Sequence, residues 1–184
     1  MNYYISDIHF GDKRIFELCN RTKSIMEFEK SFIIRWNMKI KDEDDVYILG
    51  DIACDEYKKI IDIFKKLYGR KHILIGNHDE WILNNPNIHS ELCRLATIDF
   101  ILVIKDKNRE VFLCHYPVMD WPNIEKGAIH LYGHIHNKNK SEIKEYFKDK
   151  MAFNVSSDVV NHEPRTIDEL IILKEHNKNE TFVN

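Results

Sequence analysis

Asp7, His9, Asp51, Asn77, His115, His134 and His136 each stand at or just beyond the end of a short apolar run, and all are oxygen or imidazole donors. No thiolate accompanies them, so the set suits Mn²⁺, Fe or Zn²⁺ and not Cu(I) or an iron–sulfur cluster. The donors also outnumber what a single ion coordinates. Two ions sharing a carboxylate would use them all, and Asp51, lying between the two groups, is the natural bridge. The stretch LIGNHDEW, residues 74–81, sharpens the point. Gly76 and Asn77 suit a turn, but His78 and Asp79 add two further polar groups where a buried strand should end, at a desolvation cost unless they find partners.

Each fragment has a plainer reading by itself. Asp-x-His after a strand is commonly a cap, Gly-Asp a turn, and a lone histidine such as His115 a satisfied core residue. A His-x-His pair places two imidazoles on one side of an extended segment. Their recurrence at five strand ends points to one site, because ligands of open α/β sheets collect outside the carboxyl ends of strands.

The elements that must position these groups follow from periodicity. Residues 2–6, the run DDVYILGD, KHILIGN, GAIHLYGHIH and MAFNVSSD read as strands, and DFILVIKDKNREVFLCHYP as two strands joined at Asp106 to Asn108. Helical spacing marks roughly 22–40, through Ile25, Phe28, Phe32, Ile33, Trp36 and Ile40, and about 55–68, through Ile60, Ile61, Phe64 and Leu67. Thr166 and Glu169 fit a capping box opening a last helix, although TIDELIIL also reads as a terminal strand. The Asn- and Lys-rich tail from about 175 is expected to fray. Strand–helix–strand early and strands in series later predict a mixed α/β sandwich and not an all-parallel sheet.

Composition sets the frame. The 184 residues fit one domain, and a hydrophobic fraction of 43 % with 10 Phe, 8 Tyr and 3 Trp is ample for a core. Balanced charge, net −3, gives no sign of a surface for long nucleic acid or membrane. Cys19, Cys54, Cys93 and Cys114 stand far apart and read as isolated thiols of a reducing compartment. The start, MNYYISDIHF, is not of signal-peptide type and no run is long enough to span a bilayer, so a cytoplasmic protein is expected.

The series Asp7-x-His9, Gly50-Asp51, Gly76-Asn77-His78-Asp79, His115 and Gly133-His134-x-His136 resembles the calcineurin-like metallophosphoesterase superfamily. The stretches YYISDIHFG, WNMKIKDEDDVYILGDI, HYPVMDWP and NVSSDVVNHEP resemble its small single-domain bacterial and phage members. The resemblance implies two mixed β-sheets packed as a sandwich flanked by helices. It implies one metal on Asp7, His9 and His136, another on Asn77, His115 and His134, and Asp51 bridging. Mn²⁺ is the leading candidate, with Fe, Zn²⁺ or Ni²⁺ as alternatives. His78 would be the catalytic histidine and Asp79 its orienting carboxylate, while Asp12 stands where small relatives often carry a histidine.

The reaction so implied is hydrolysis of a phosphodiester or phosphomonoester by a hydroxide held between two ions, with His78 assisting the leaving group. A chain this short leaves little for a lid, which favours diesters slightly and admits small phosphate esters, nucleotides among them. Arg21, His162 and Arg165 are candidates for binding phosphate oxygens, although solvated or structural roles are the plainer reading. Tyr116 reads as packing, and His72, His89, His130 and His176 as structural or surface residues. A silent metal-binding scaffold of the same fold is the alternative, as is a mononuclear site. The signatures of lactamase-type hydrolases and zinc deaminases are missing from the sequence.

Overall fold

The computed structural model describes residues 1–21, 24–54, 59–138 and 141–180. Its first sheet joins β1 (Asn2–Ile5), β2 (Asp45–Leu49), β3 (Arg70–Leu74) and β4 (Ala96–Asp99) in that order, all parallel. Helices make each crossover: α1 (Lys13–Leu18) and α2 (Ile25–Lys39), then α3 (Ile60–Phe64), then α4 (Glu80–Asn84) and α5 (Pro86–Leu92). A helix returns the chain to the starting edge, so the next strand enters parallel. This corrects the expectation that both sheets are mixed.

The second sheet is mixed. It orders β5 (Ile101–Asp106), β6 (Arg109–Cys114), β7 (Ile129–Tyr132) and β8 (Ala152–Asn154), with β5 and β6 an antiparallel hairpin and the other pairs parallel. The helix α6 (Ser141–Phe147) precedes β8, and α7 (Ile167–Glu180) closes the described chain. α7 decides the helix-or-strand choice. Glu169 accepts from the Thr166 amide and Thr166 Oγ1 accepts from the Glu169 amide, the reciprocal capping box. The helix continues to Glu180.

α2 begins at a second capping box, Ser24 with Glu27, and buries Phe28, Phe32 and Trp36. The expected helix over 55–68 is seen only as α3, and residues 55–58 lie outside the described chain. One hydrophobic cluster takes side chains from both sheets, among them Ile5, Ile48 and Ile73 from the first and Val111, Leu113 and Leu131 from the second. Burial of each such side chain stabilises by about 1.5–3 kcal/mol, which holds the two sheets together. A smaller cluster gathers Phe112, Trp121, Tyr132 and Phe147 around β6 and β7. No described helix is long and apolar enough to cross a membrane.

Candidate metal centre

Parallel pairing decides where the polar residues go. Ile5 pairs with Ile48, and Ile48 with Ile73, so β1, β2 and β3 finish together and deliver Asp7, Asp51 and Asn77 to one edge. In the second sheet Leu113 pairs with Leu131, which brings His115 and His134 to the ends of neighbouring strands. The two edges are stitched together. Ser6 donates its amide to Val155 O at 2.9 Å, His115 Nδ1 lies 2.7 Å from Leu49 O, and His134 N lies 3.0 Å from both Asp7 carboxylate oxygens.

The backbone at this edge is unusual. Asp7, His9, Asp51, His134 and His136 all hold φ between 49° and 69°. Non-glycine residues seldom adopt the left-handed region, and each instance costs on the order of 1–3 kcal/mol that the surroundings must enforce. The preceding glycines have a related cause. A Cβ on Gly50 would lie 2.6 Å from His115 Nδ1, and one on Gly133 would collide with Ser6 Oγ and Asp7 Oδ2. Those positions need glycine because ligand side chains press on them.

Two groups of donors result. Asp7, His9 and His136 offer atoms within 4.8 Å of one another, and so do Asp51, His115 and His134. Asn77 joins the second group, its Oδ1 lying 3.0 Å from His115 Nε2 and 2.8 Å from His134 Nδ1. Asp51 Oδ2 lies 3.7 Å from His9 Nε2 and 3.4 Å from His115 Nε2, so it touches both groups. The groups differ in depth: Asp7, His9 and His136 are buried, whereas Asn77 is exposed and His134 half-buried.

The electrostatics fit cations. Burial pushes His9 down to about 4 despite the Asp51 and Asp7 carboxylates. Its ring is fully buried and neither nitrogen has a hydrogen-bond partner. An orphaned buried imidazole is costly, and a cation accepting its lone pair removes that cost. Burial opposes charge on His115 and His136 too, yet Asp51 raises the first to about 8 and Asp158 raises the second to about 10. Burial would lift Asp51, but the His115 ring and the His78 amide hold it at about 2. Carboxylates that draw protons onto neighbouring imidazoles mark a potential that attracts positive charge. Among the described residues, these groups could hold one or two metal ions.

Several expected roles fall elsewhere. Asp79 is fully buried and accepts from the amides of Asp51 at 2.6 Å, Gly76 at 2.9 Å and Ile52 at 3.0 Å. It organises two loops through these amides, in place of the expected role of orienting the His78 ring. Burial and the Asp51 charge push it up to about 6. His78 is pinned through its backbone, N to Asp51 Oδ1 at 2.8 Å, with its ring edge-on to His9. Asp12 caps α1 and sits 3.9 Å from His9 Nδ1.

The three proposed phosphate-binding residues are structural. Arg21 is buried in a fork on Asp158 and donates to the carbonyls of Ile8 and Asp7. His162 lies against Ser157 Oγ and Phe28, and Arg165 pairs with Val160 O, Glu163 and Glu169. Asp158 and Cys19 were not anticipated; both approach His136 Nδ1, at 3.1 and 3.6 Å. Tyr116, read as packing, is 43 % exposed with its ring edge-on to His115 and His134. Its position directly after His115 was the one signal available.

Fold and site together define a two-sheet α/β protein with an Asp/His/Asn cluster where parallel strands end. The chain belongs to the same family as the uncharacterized protein MJ1445 of Methanocaldococcus jannaschii, to which it is 31% identical over 180 residues, covering 96% of this chain and 92% of that one. It is 26% identical over 159 residues to the gene 66 protein of Mycobacterium phage L5, covering 73% and 77%. The crystal structure of the protein of unknown function AQ665 from Aquifex aeolicus matches with a TM-score of 0.71 at 25% identity, over 94% of this chain and 98% of that one. No family model matches the chain.

Proposed function

We propose that this chain is a metal-dependent phosphoesterase of the calcineurin-like superfamily. The observation that carries the reading is the pairing of two donor groups through one carboxylate, Asp51, at a strand edge where five of the seven ligand residues are held in left-handed conformations. Asp7, His9 and His136 would hold one divalent cation, Asn77, His115 and His134 the other, with Mn²⁺ the leading candidate. Such cations lower the pKa of a water and offset the negative charge of a phosphoryl group.

The chain's own residues do the rest. Asp51 keeps the two groups in register by touching His9 on one side and His115 on the other. The exposed Asn77, half-buried His134 and exposed Tyr116 make the open side on which a phosphate ester enters. His78 is half-buried, and its ring nitrogens make no hydrogen bond among the described residues, so the imidazole is available to a phosphoryl oxygen or to the departing alkoxide. An open side accommodates groups on both sides of the phosphorus, which favours small phosphodiesters, nucleotides among them.

Hydrolysis of bis(p-nitrophenyl) phosphate and p-nitrophenyl phosphate by metal-stripped protein, with Mn²⁺ restored, tests this. Turnover should require the metal, fall about 10²–10⁴-fold in His78→Ala, and vanish in Asp51→Asn. The ratio of the two rates decides diester against monoester. Protein that binds no divalent cation would sink the reading and leave a scaffold in its place.

A further inference from the structure

The segment after β8 carries NVSSDVVNHEP, and its Asp158 has no part in the chemistry above. Asp158 is delivered by the docking of this segment on β1, where Ser157 N donates to Ser6 O at 2.7 Å. Its carboxylate Oδ2 lies 3.1 Å from His136 Nδ1, and Arg21 grips both its oxygens, Nε to Oδ1 at 2.8 Å and Nη2 to Oδ2 at 3.0 Å. The same guanidinium donates to Ile8 O at 2.7 Å and Asp7 O at 3.1 Å. Those carbonyls belong to the turn whose Asp7 and His9 have positive φ. The Arg21 guanidinium lies 5.2 Å from the Phe16 ring centroid and 4.9 Å from that of Phe28, and its side chain is only 2 % exposed. It cannot swing out to substrate.

We infer that Arg21 and Asp158 are a positioning pair that fixes Asp7, His9 and His136 as the holder of one cation and leaves the other group untouched. The inference rests on the metal assignment proposed above. A carboxylate on Nδ1 fixes the imidazole tautomer, leaving the lone pair on Nε2, which lies 3.6 Å from Asp7 Oδ1. Cys19, His136 and Asp158 also lie close enough to form a third donor group. The guanidinium on both Asp158 oxygens opposes a cation there, so Cys19 is a neighbour of the network and not a ligand.

The test is Mn²⁺ titration of the metal-free chain, following free and bound metal by electron paramagnetic resonance. Wild type should bind both ions and show a coupled multiline spectrum. Asp158→Asn, which is isosteric, and Arg21→Lys, which keeps the charge but loses the fork, should each weaken one site by about 10–100-fold and leave the other at wild-type affinity. Their spectra should be those of isolated Mn²⁺. Asp158→Glu, which keeps the carboxylate, should recover part of the lost affinity, and thermal melting of each metal-free variant shows that it is folded. Both sites unchanged in folded Asp158→Asn and Arg21→Lys would overturn the positioning role while the phosphoesterase reading stands. Equal loss of both sites in folded variants would overturn its selectivity. A wild type that binds no Mn²⁺ would overturn both readings together.

Discussion

Asp79 follows His78 directly, yet its side chain turns away from that ring. Three amides converge on its carboxylate, from Asp51, Ile52 and Gly76, and so lock the loop after β2 to the loop after β3. That is why α4 starts at Asp79 without a side-chain cap: the group that would have capped it is already used. An amide in its place offers a single acceptor oxygen to three donors. Leaving a buried amide unpaired costs about 1–3 kcal/mol. Asp79→Asn should therefore lower the unfolding free energy by roughly 1–3 kcal/mol, measured by urea denaturation of the metal-free protein. If Asp79 only oriented His78, stability would be unchanged and hydrolysis alone would suffer.

At the scale of elements, β7 carries a buried histidine whose partners fix its charge state. His130 Nε2 accepts the Val118 amide at 3.2 Å and Nδ1 lies 3.3 Å from Phe112 O, so the ring fits as the neutral Nδ1–H tautomer. Phe112, Trp121, Tyr132 and Phe147 surround it. Burial lowers its pKa from 6.5 to about 4, against the upward pull of the Phe112 and Tyr116 backbone. The unfolded chain then binds more protons than the folded one between those values. The folded state therefore loses stability as pH falls from about 6.5 to about 4, by an amount on the order of 3 kcal/mol. His130→Gln cannot titrate, so its stability should fall less steeply than wild type across that window. Parallel slopes for the two proteins would show that His130 is not the group responsible.

For the whole molecule, two sheets meet at an edge where buried carboxylates and imidazoles crowd together. Asp7, His9, Asp51, Asp79, His115 and His136 are all buried there. Cations bound at such an edge stabilise the folded chain by mass action, because the unfolded chain does not assemble the donors. A metal concentration about 100-fold above Kd is worth about 2.7 kcal/mol. At roughly 2–4 °C per kcal/mol for a chain of this size, Mn²⁺ should raise Tm by about 5–10 °C and a chelator should reverse it. A Tm indifferent to both would mean that the edge does not bind metal.

Sequence by itself determined which residue types stand at strand ends, because apolar runs, turn glycines and His-x-His spacing are properties of near neighbours. It marked Asp7, His9, Asp51, Asn77, His115, His134 and His136, the hairpin of β5 and β6, and the box at Thr166 and Glu169. It was silent on α4, α5 and β4, where Asn85 and Pro86 interrupt the periodicity and the strand is only four residues long, with Phe100 alone between it and β5. Tertiary structure alone decided that the first sheet is parallel throughout, which is what brings three strand ends to one edge. It also decided partners. Arg21 reaches an aspartate 137 residues away and His136 one 22 residues away. Charge and size make an arginine equally suited to phosphate or to carboxylate, and only the docking of the segment after β8 onto β1 supplies the carboxylate.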